Sequence, residues 1–571
     1  MASNGIPLLP PDLFHLVTAE LAMNALQADS QEAARPEFAA LYNCVLSSKY
    51  LASAGALSAL YRISLHDRSP VKSGGENISF AEQDLTVMKW SILWRTIILS
   101  ALGKTMYPYC RHVRELDLRD LSSLIDRLDE SKFRSKVAKQ FFASHLSRFH
   151  FVGASPGKGR AARLDIRKIL LAVGDEITQH APLLERLSEP TTSDVLMSAL
   201  PTWTPRLGHL RSLEFWDGKL LANETIRNLL HAHCPHLHEL QLYTCSNTDS
   251  DHHLAAFISG LQAHTLTRFE NNNFCGIGLQ TCLAINQHGK SLTTLKLGLE
   301  EDGMLALALL KDCTALNTLE VTALGQSVDL KATQPEVYVE IVEWLKQCTS
   351  LRVIAFDGVI SAPDLLLPVL QNKEVKLRSL EISAKEGSMY VVKDHHDFHR
   401  ALGEHASLES LHLRADPDPI SRDDMDVLMD AFCALQGLRQ LNLYRISDYF
   451  SDQHIGLLAT SLSKLEALYI GGYGISDSVL GSVASLQHIK NVTFAGITTF
   501  TLDGLLGFIE RLPERSIGLV LAVEAADSES MIGDDGQELI RKALVKKLDG
   551  HFEYQPLRDP NMSEFEESDS D

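Results

Sequence analysis

A six-residue pattern, apolar at positions 1, 4 and 6, returns about every 28 residues over the last two-thirds of the chain. It reads Leu210/Leu213/Phe215, Leu237/Leu240/Leu242, Leu266/Phe269, Leu292/Leu295/Leu297, Leu316/Leu319/Val321 and Leu351/Ile354/Phe356. It continues through Leu377/Leu380/Ile382, Leu408/Leu411/Leu413, Leu438/Leu441/Leu443, Leu465/Leu468/Ile470 and Ile489/Val492/Phe494. Each copy predicts a short strand whose apolar residues at positions 1, 4 and 6 point inward, while positions 5 and 7 face out. Apolar residues at helical spacing follow several copies, at 301–312, 335–348, 421–435 and 451–463. Ser421, Ser451 and Ser476 stand where N-caps belong.

Weaker copies flank this array. Val113/Leu116/Leu118 fits well, Leu146/Phe149/Phe151 fits with aromatics, and Ile517/Leu519/Leu521 reads as a last strand before a closing helix at 535–548. Between Phe151 and Leu210 the pattern loosens into a basic loop and helices near 164–172 and 193–200. Strand, turn, helix, turn at fixed period is the leucine-rich-repeat unit. The predicted fold is an α/β leucine-rich-repeat solenoid, a right-handed β-α horseshoe, over residues 113–548. Cys234, Cys313, Cys348 and Cys433 fall near helix ends and Cys245 just after a strand, where a small soft side chain suits a tight corner, so they read as packing residues.

The N-terminal stretch has a different period. Residues 7–21, PLLPPDLFHLVTAEL, give a proline lead-in and then Leu13, Leu16, Val17 and Leu21 at helical spacing. A polar, Ala-rich insert at 22–36 precedes a second helical stretch bearing Phe38, Leu41, Cys44, Val45, Tyr50 and Leu51, with an exit through Leu60-Tyr61-Arg62. The Leu-Pro-Pro-acid-Leu opening, the Cys44-Val45-Leu46-Ser47 run with Lys49, and this exit resemble the F-box, in a form similar to that of fungal F-box proteins. The resemblance covers about residues 6–66; the insert is longer than the motif's own, and Tyr50 stands near the place of its late Trp. A helical bridge at 67–112, containing Trp90-Ser-Ile-Leu-Trp-Arg, looks like the approach to the first repeat in that group.

An F-box joined to leucine-rich repeats implies the substrate receptor of an SCF-type ubiquitin ligase. Its adaptor-binding residues would be Leu9, Pro10, Leu13, Leu16, Val17, Leu21, Leu41, Val45, Leu46, Tyr50 and Leu51. Two other readings stand beside it: a helical cap on the open end of the repeat array, and an interaction scaffold whose degenerate F-box recruits no ligase.

Composition narrows the partners. A net charge of −20 argues against general nucleic-acid binding. A local basic run (Lys132, Arg134, Lys136, Lys139, Arg148, Lys158, Arg160, Arg163, Arg167, Lys168), with only Asp165 against it, reads as a solvated helix face and loop rather than a phosphate site. Nine scattered cysteines and the lack of a secretory leader or an 18-residue apolar run suit a cytoplasmic or nuclear protein. After Arg558 the chain is acidic, and 549–571 is expected to be a disordered tail, with Ser563, Ser568 and Ser570 open to acidophilic kinases.

No catalytic residue, metal or cofactor is expected. Gly153–Gly159 imitates a phosphate loop with the wrong glycine spacing. His231, His233, Cys234, His236 and His238 should fan apart at a helix-to-strand corner, and His395, His396 and His399 read as a solvated insertion. The outward strand positions carry the candidate chemistry. Trp216, Tyr243, His412, Arg414, Tyr444 and Tyr469 are the expected substrate contacts on a face whose eleven strands would span about 50 Å, room for an interface of about 800 Å². Glu214, Glu270 and Glu320 early in that row suggest a basic partner there.

Overall fold

A computed structural model of the chain describes residues 10–27, 31–61, 80–153, 163–190, 194–385, 387–417 and 420–557. The chain falls into two compact units, Met1–His253 and Leu254–Asp571.

The first unit opens with helices. Pro11–Gln27 packs on Gln31–Ser47, and Ala22, Ala25, Leu41 and Ala59 form their shared core. Residues 22–27 and 31–36 are helical. The insert read from its polar, alanine-rich composition therefore lengthens the two helices, which alanine favours. A wide turn at Ala52–Ala56 lets Gly55, at φ +145°, lie against the first helix; a Cβ there would meet Thr18 Oγ1 at 2.7 Å. Helix Phe80–Ala101 is fixed to the first repeat by two indoles, since Trp90 Nε1 and Trp94 Nε1 both donate to Asp120 Oδ2, at 2.8 and 2.6 Å. The Arg95 guanidinium donates to the carbonyls of Gln140 and Phe141 at 2.6 and 2.5 Å.

Four parallel strands complete this unit in chain order: β1 (Glu115–Asp117), β2 (Arg186–Ser188), β3 (Ser212–Asp217) and β4 (Glu239–Thr244). The expected strand at Leu146–Phe151 is instead a tight helical turn, Ser144–Phe149, in which Leu146 and Phe149 are buried all the same. The true second strand, β2, lies where the pattern loosened.

The second unit carries β5 (Arg268–Asn271), β6 (Thr294–Leu299), β7 (Thr318–Ala323), β8 (Val353–Asp357), β9 (Ser379–Ser383), β10 (Ser410–Leu413), β11 (Gln440–Leu443), β12 (Ala467–Ile470), β13 (Tyr473–Ile475), β14 (Asn491–Thr498), β15 (Val520–Ala526) and β16 (His551–Pro556). They pair in parallel and in chain order, except that β12 pairs β14 and the short β13 sits beside β14. Pairing is in register through the inward residues, Leu411↔Leu441 and Leu441↔Leu468 for example, so every repeat stacks its position 4 on the next. Helices such as Pro335–Gln347 and Arg422–Ala434 connect the strands. Ser421 caps the latter reciprocally: its hydroxyl accepts from Asp424 N–H (3.2 Å), while its own N–H donates to the Asp424 carboxylate (2.6 Å). Parallel strands, helical returns and inward leucine ladders make this the α/β leucine-rich-repeat solenoid read from the sequence.

Two departures concern the C-terminus and the corners. β16 occupies His551–Pro556, inside the stretch expected as tail; Phe552 is buried there and completes the ladder, while residues 558–571, with Ser563, Ser568 and Ser570, lie outside the described residues. Corner cysteines are buried as read, except Cys433, which is half-buried. Their thiols point along the stack: Cys234 toward Leu207 O (3.7 Å) and Cys348 toward Cys313 O (3.5 Å).

Candidate functional site

Because positions 4 and 6 fill the core, positions 5 and 7 of neighbouring strands form rows on the opposite face. In the second unit these rows bring together residues from β10, β11, β12 and β15. His412, Asn442 and Tyr469 are lateral neighbours at position 5. At position 7 the Arg414 guanidinium lies over the Tyr444 ring, 4.4 Å from its centroid. The Tyr444 and Tyr469 rings are 5.7 Å apart, and the Tyr469 hydroxyl donates to Glu524 Oε2 at 2.8 Å. Burial and the adjacent Glu524 carboxylate raise the Tyr469 phenol well above its ordinary range. His412 Nδ1 sits 3.2 Å from Glu381 Oε1, and the imidazole holds that carboxyl below its usual value.

Local turns fix these side chains. After β11 the backbone turns through Arg445 in the left-handed region (φ +66°), and buried Ser447 donates to Leu443 O (2.5 Å) while accepting from Gly471 N–H (2.6 Å). Tyr444 therefore leaves the strand at a locked corner, and four of the six expected contacts (His412, Arg414, Tyr444, Tyr469) form one cluster. Glu524 was missed because the Ile517/Leu519/Leu521 frame misplaces the strand. The observed pairing Thr493↔Ala522 puts Ala522 at position 5 and Glu524 at position 7.

In the first unit Trp216 and Tyr243 stack face to face, with centroids 4.0 Å apart and planes 10° off parallel; Tyr243 is 40% exposed and Trp216 half-buried. The acids that suggested a basic partner are already engaged. Glu214 pairs with Arg119, Glu270 is buried against Arg268 (2.7 Å), and Glu320 pairs with Lys296 (2.9 Å). Paired within the chain, these three carboxylates offer little to a basic partner.

On the N-terminal helices, Leu13, Leu16, Val17 and Leu46 face solvent at 49, 63, 49 and 66% exposure, and Pro10 is also exposed. Leu21, Val45, Tyr50 and Leu51 are half-buried, and Leu41 is wholly inside the helix pair. Leu9 lies outside the described residues.

The sequence reading of one histidine group is corrected. His395, His396 and His399 are not a solvated face. Helix His396–Gly403 turns His399 into the core, where burial drives its imidazole down to about 3, and His395 and His396 engage Asp364 (3.3 Å) and Asp424 (2.5 Å). Lys132, Lys136, Lys139 and Arg148 of the basic run are exposed, and the run meets carboxylates besides Asp165: Lys132 with Asp84 (3.3 Å), Arg134 with Asp129 (2.9 Å), and Arg148 with Glu176. Lys158 and Arg160 lie outside the described residues. Among the described residues no group of three or more His, Cys, Asp or Glu side chains is placed to hold a metal, and no helix is long and apolar enough to cross a membrane.

No family model and no curated protein matches the chain. Among known structures it is similar to an internalin from Listeria monocytogenes (14% identity, 60% of this chain and 80% of that one, TM-score 0.30). It is also similar to a chain of the yeast Rad7–Elc1 complex (12% identity, 79% and 92%, TM-score 0.39) and to one of the TLR13–ssRNA13 complex (14% identity, 66% and 53%, TM-score 0.35). With these three TM-scores below 0.5, the repeat assignment rests on strand order and register.

Proposed function

We propose that this protein is a substrate-recognition subunit of an SCF-type ubiquitin ligase, acting in the cytoplasm or nucleus. Its N-terminal helices dock the ligase adaptor and its strand face holds a protein substrate. The chain supplies proximity and performs no covalent step itself. One observation carries the reading: the helix pair has its own core, yet leaves Leu13, Leu16, Val17 and Leu46 in solvent. Full burial of a leucine or valine is worth about 1.5–3 kcal/mol, so four of them exposed on so small a helical segment suit a surface that a partner covers. The F-box likeness of these same residues supplies the class of partner. Aromatic and arginine side chains on the strand face match what anchors protein interfaces.

Co-purification tests this. The SCF adaptor, co-expressed with the full chain, should be retained at equal stoichiometry and lost on Leu13→Ala/Leu16→Ala with no drop in melting temperature. A chain that never retains the adaptor is a repeat scaffold without a ligase role.

A further inference from the structure

The outward face of β8 to β15 has an uneven balance of charge. Its acids are satisfied within the chain: Glu381 by His412 and Glu524 by the Tyr469 hydroxyl, while Asp357 Oδ1 accepts from Ser383 Oγ at 2.9 Å. Arg414 is the exception. Its guanidinium is held flat on Tyr444, no carboxylate of the described residues pairs with it, and its buried Nε has no hydrogen-bond partner. One strand over, the buried Asn442 Oδ1 also lacks a partner. A buried polar atom without a partner costs free energy that a bound group can recover.

We infer that this cluster is a receptor for a carboxylate-bearing peptide segment, an Asp or Glu side chain of the partner forking onto Arg414 while a backbone N–H of the same segment donates to Asn442. The inference rests on the reading of the strand face as the substrate-binding surface. A planar guanidinium stacked on an aromatic ring matches a carboxylate in geometry and loses little side-chain entropy on pairing. The unsatisfied amide oxygen calls for a donor, which a peptide backbone has and a bare anion lacks. The charge of the anion also follows from the surroundings. Glu381, one strand before Arg414, and Glu524, bonded to the Tyr469 hydroxyl, put two carboxylates on the same face as this cation, so a singly charged carboxylate is accommodated more readily than a phosphate dianion. The Tyr444 and Tyr469 rings offer apolar area for the residues beside the acid.

A random peptide library displayed on phage and panned on the full chain, with binders to folded Arg414→Gln chain removed, tests the inference. Recovered peptides should carry Asp or Glu beside an apolar or aromatic residue. In fluorescence anisotropy, changing that acid to its amide should weaken binding to the wild type at least tenfold and binding to Arg414→Gln less than twofold. Arg414→Lys, which keeps the charge but not the fork, should recover only part of the affinity. Thermal melts of both variants should overlay the wild type. The inference is overturned by peptides without acids, by equal affinity of acid and amide, by a phosphoserine replacement that tightens binding, or by no enrichment at all. Adaptor retention is scored separately, so a chain that binds acidic peptides but not the adaptor refutes the ligase role and leaves this site standing.

Discussion

Glu189 accepts a hydrogen bond from the backbone N–H of Trp216 at 3.1 Å, although its side chain occupies the inward position where most other repeats place an aliphatic residue or Phe. A carboxyl so placed is a core residue in all but chemistry. Burial, reinforced by nearby Asp217, pushes it up to about 7, against the pull of the Trp216 and Asp217 N–H groups and of Lys219. The folded state thus favours the protonated form more than the unfolded chain does. Its stabilisation is complete below the ordinary carboxyl pKa of 4.5 and is lost as pH rises through about 7. Chemical denaturation should show stability falling by up to about 3 kcal/mol between pH 4.5 and 8 from this group. Glu189→Gln, which keeps the acceptor and drops the charge, should flatten that dependence and be the more stable form at pH 8. Equal slopes in both chains would show that Glu189 is solvated.

The same residue explains much of what the sequence did and did not disclose. Eleven strong copies of the pattern are strands at the expected places because positions 4 and 6 carry buried apolar residues in all of them but one, where Asn271 takes position 6. β2 has Leu184 and Leu187 in frame, but Glu189 stands where the third apolar residue belongs, and the signature disappears. Leu146 and Phe149 show the converse, since burial alone reproduces the pattern without a strand. β16 was hidden because its core contribution is one residue, Phe552, among polar neighbours. In the candidate site, the rows put Arg414, Tyr444 and Tyr469 at outward positions of successive repeats, and the structure brings their side chains together. The pairing of Tyr469 with Glu524, 55 residues away, needed the register of β15.

Stacking between repeats leaves little tolerance at Gly289. A Cβ built there would lie 2.1 Å from Asp312 O and 2.8 Å from Cys313 N, backbone atoms of the next repeat that cannot swing aside. Gly289→Ala should destabilise the second unit by about 2 kcal/mol or more, since overpacking against backbone is costly. Urea unfolding should register this as a lower midpoint. A midpoint unchanged within error would mean that the neighbouring repeats slide freely.

Thiol chemistry should divide the nine cysteines sharply. Burial pushes Cys234 and Cys348 up to about 12 and Cys245 to about 11, so at pH 8 they present neither thiolate nor access. Only Cys44 and Cys433 are partly exposed. Maleimide should add two labels to the folded chain, read by intact mass, and nine in denaturant. More than two labels on folded protein would contradict the packing described for the corners.

The most direct measurement of the central claim is hydrogen exchange on the full chain with and without the SCF adaptor. Slowed exchange should be confined to the helices that carry Leu13, Leu16, Val17 and Leu46, with the strand-face cluster around Arg414 unchanged and free for substrate. Exchange unaltered along those helices at saturating adaptor, or protection centred on the strand face instead, would contradict that claim.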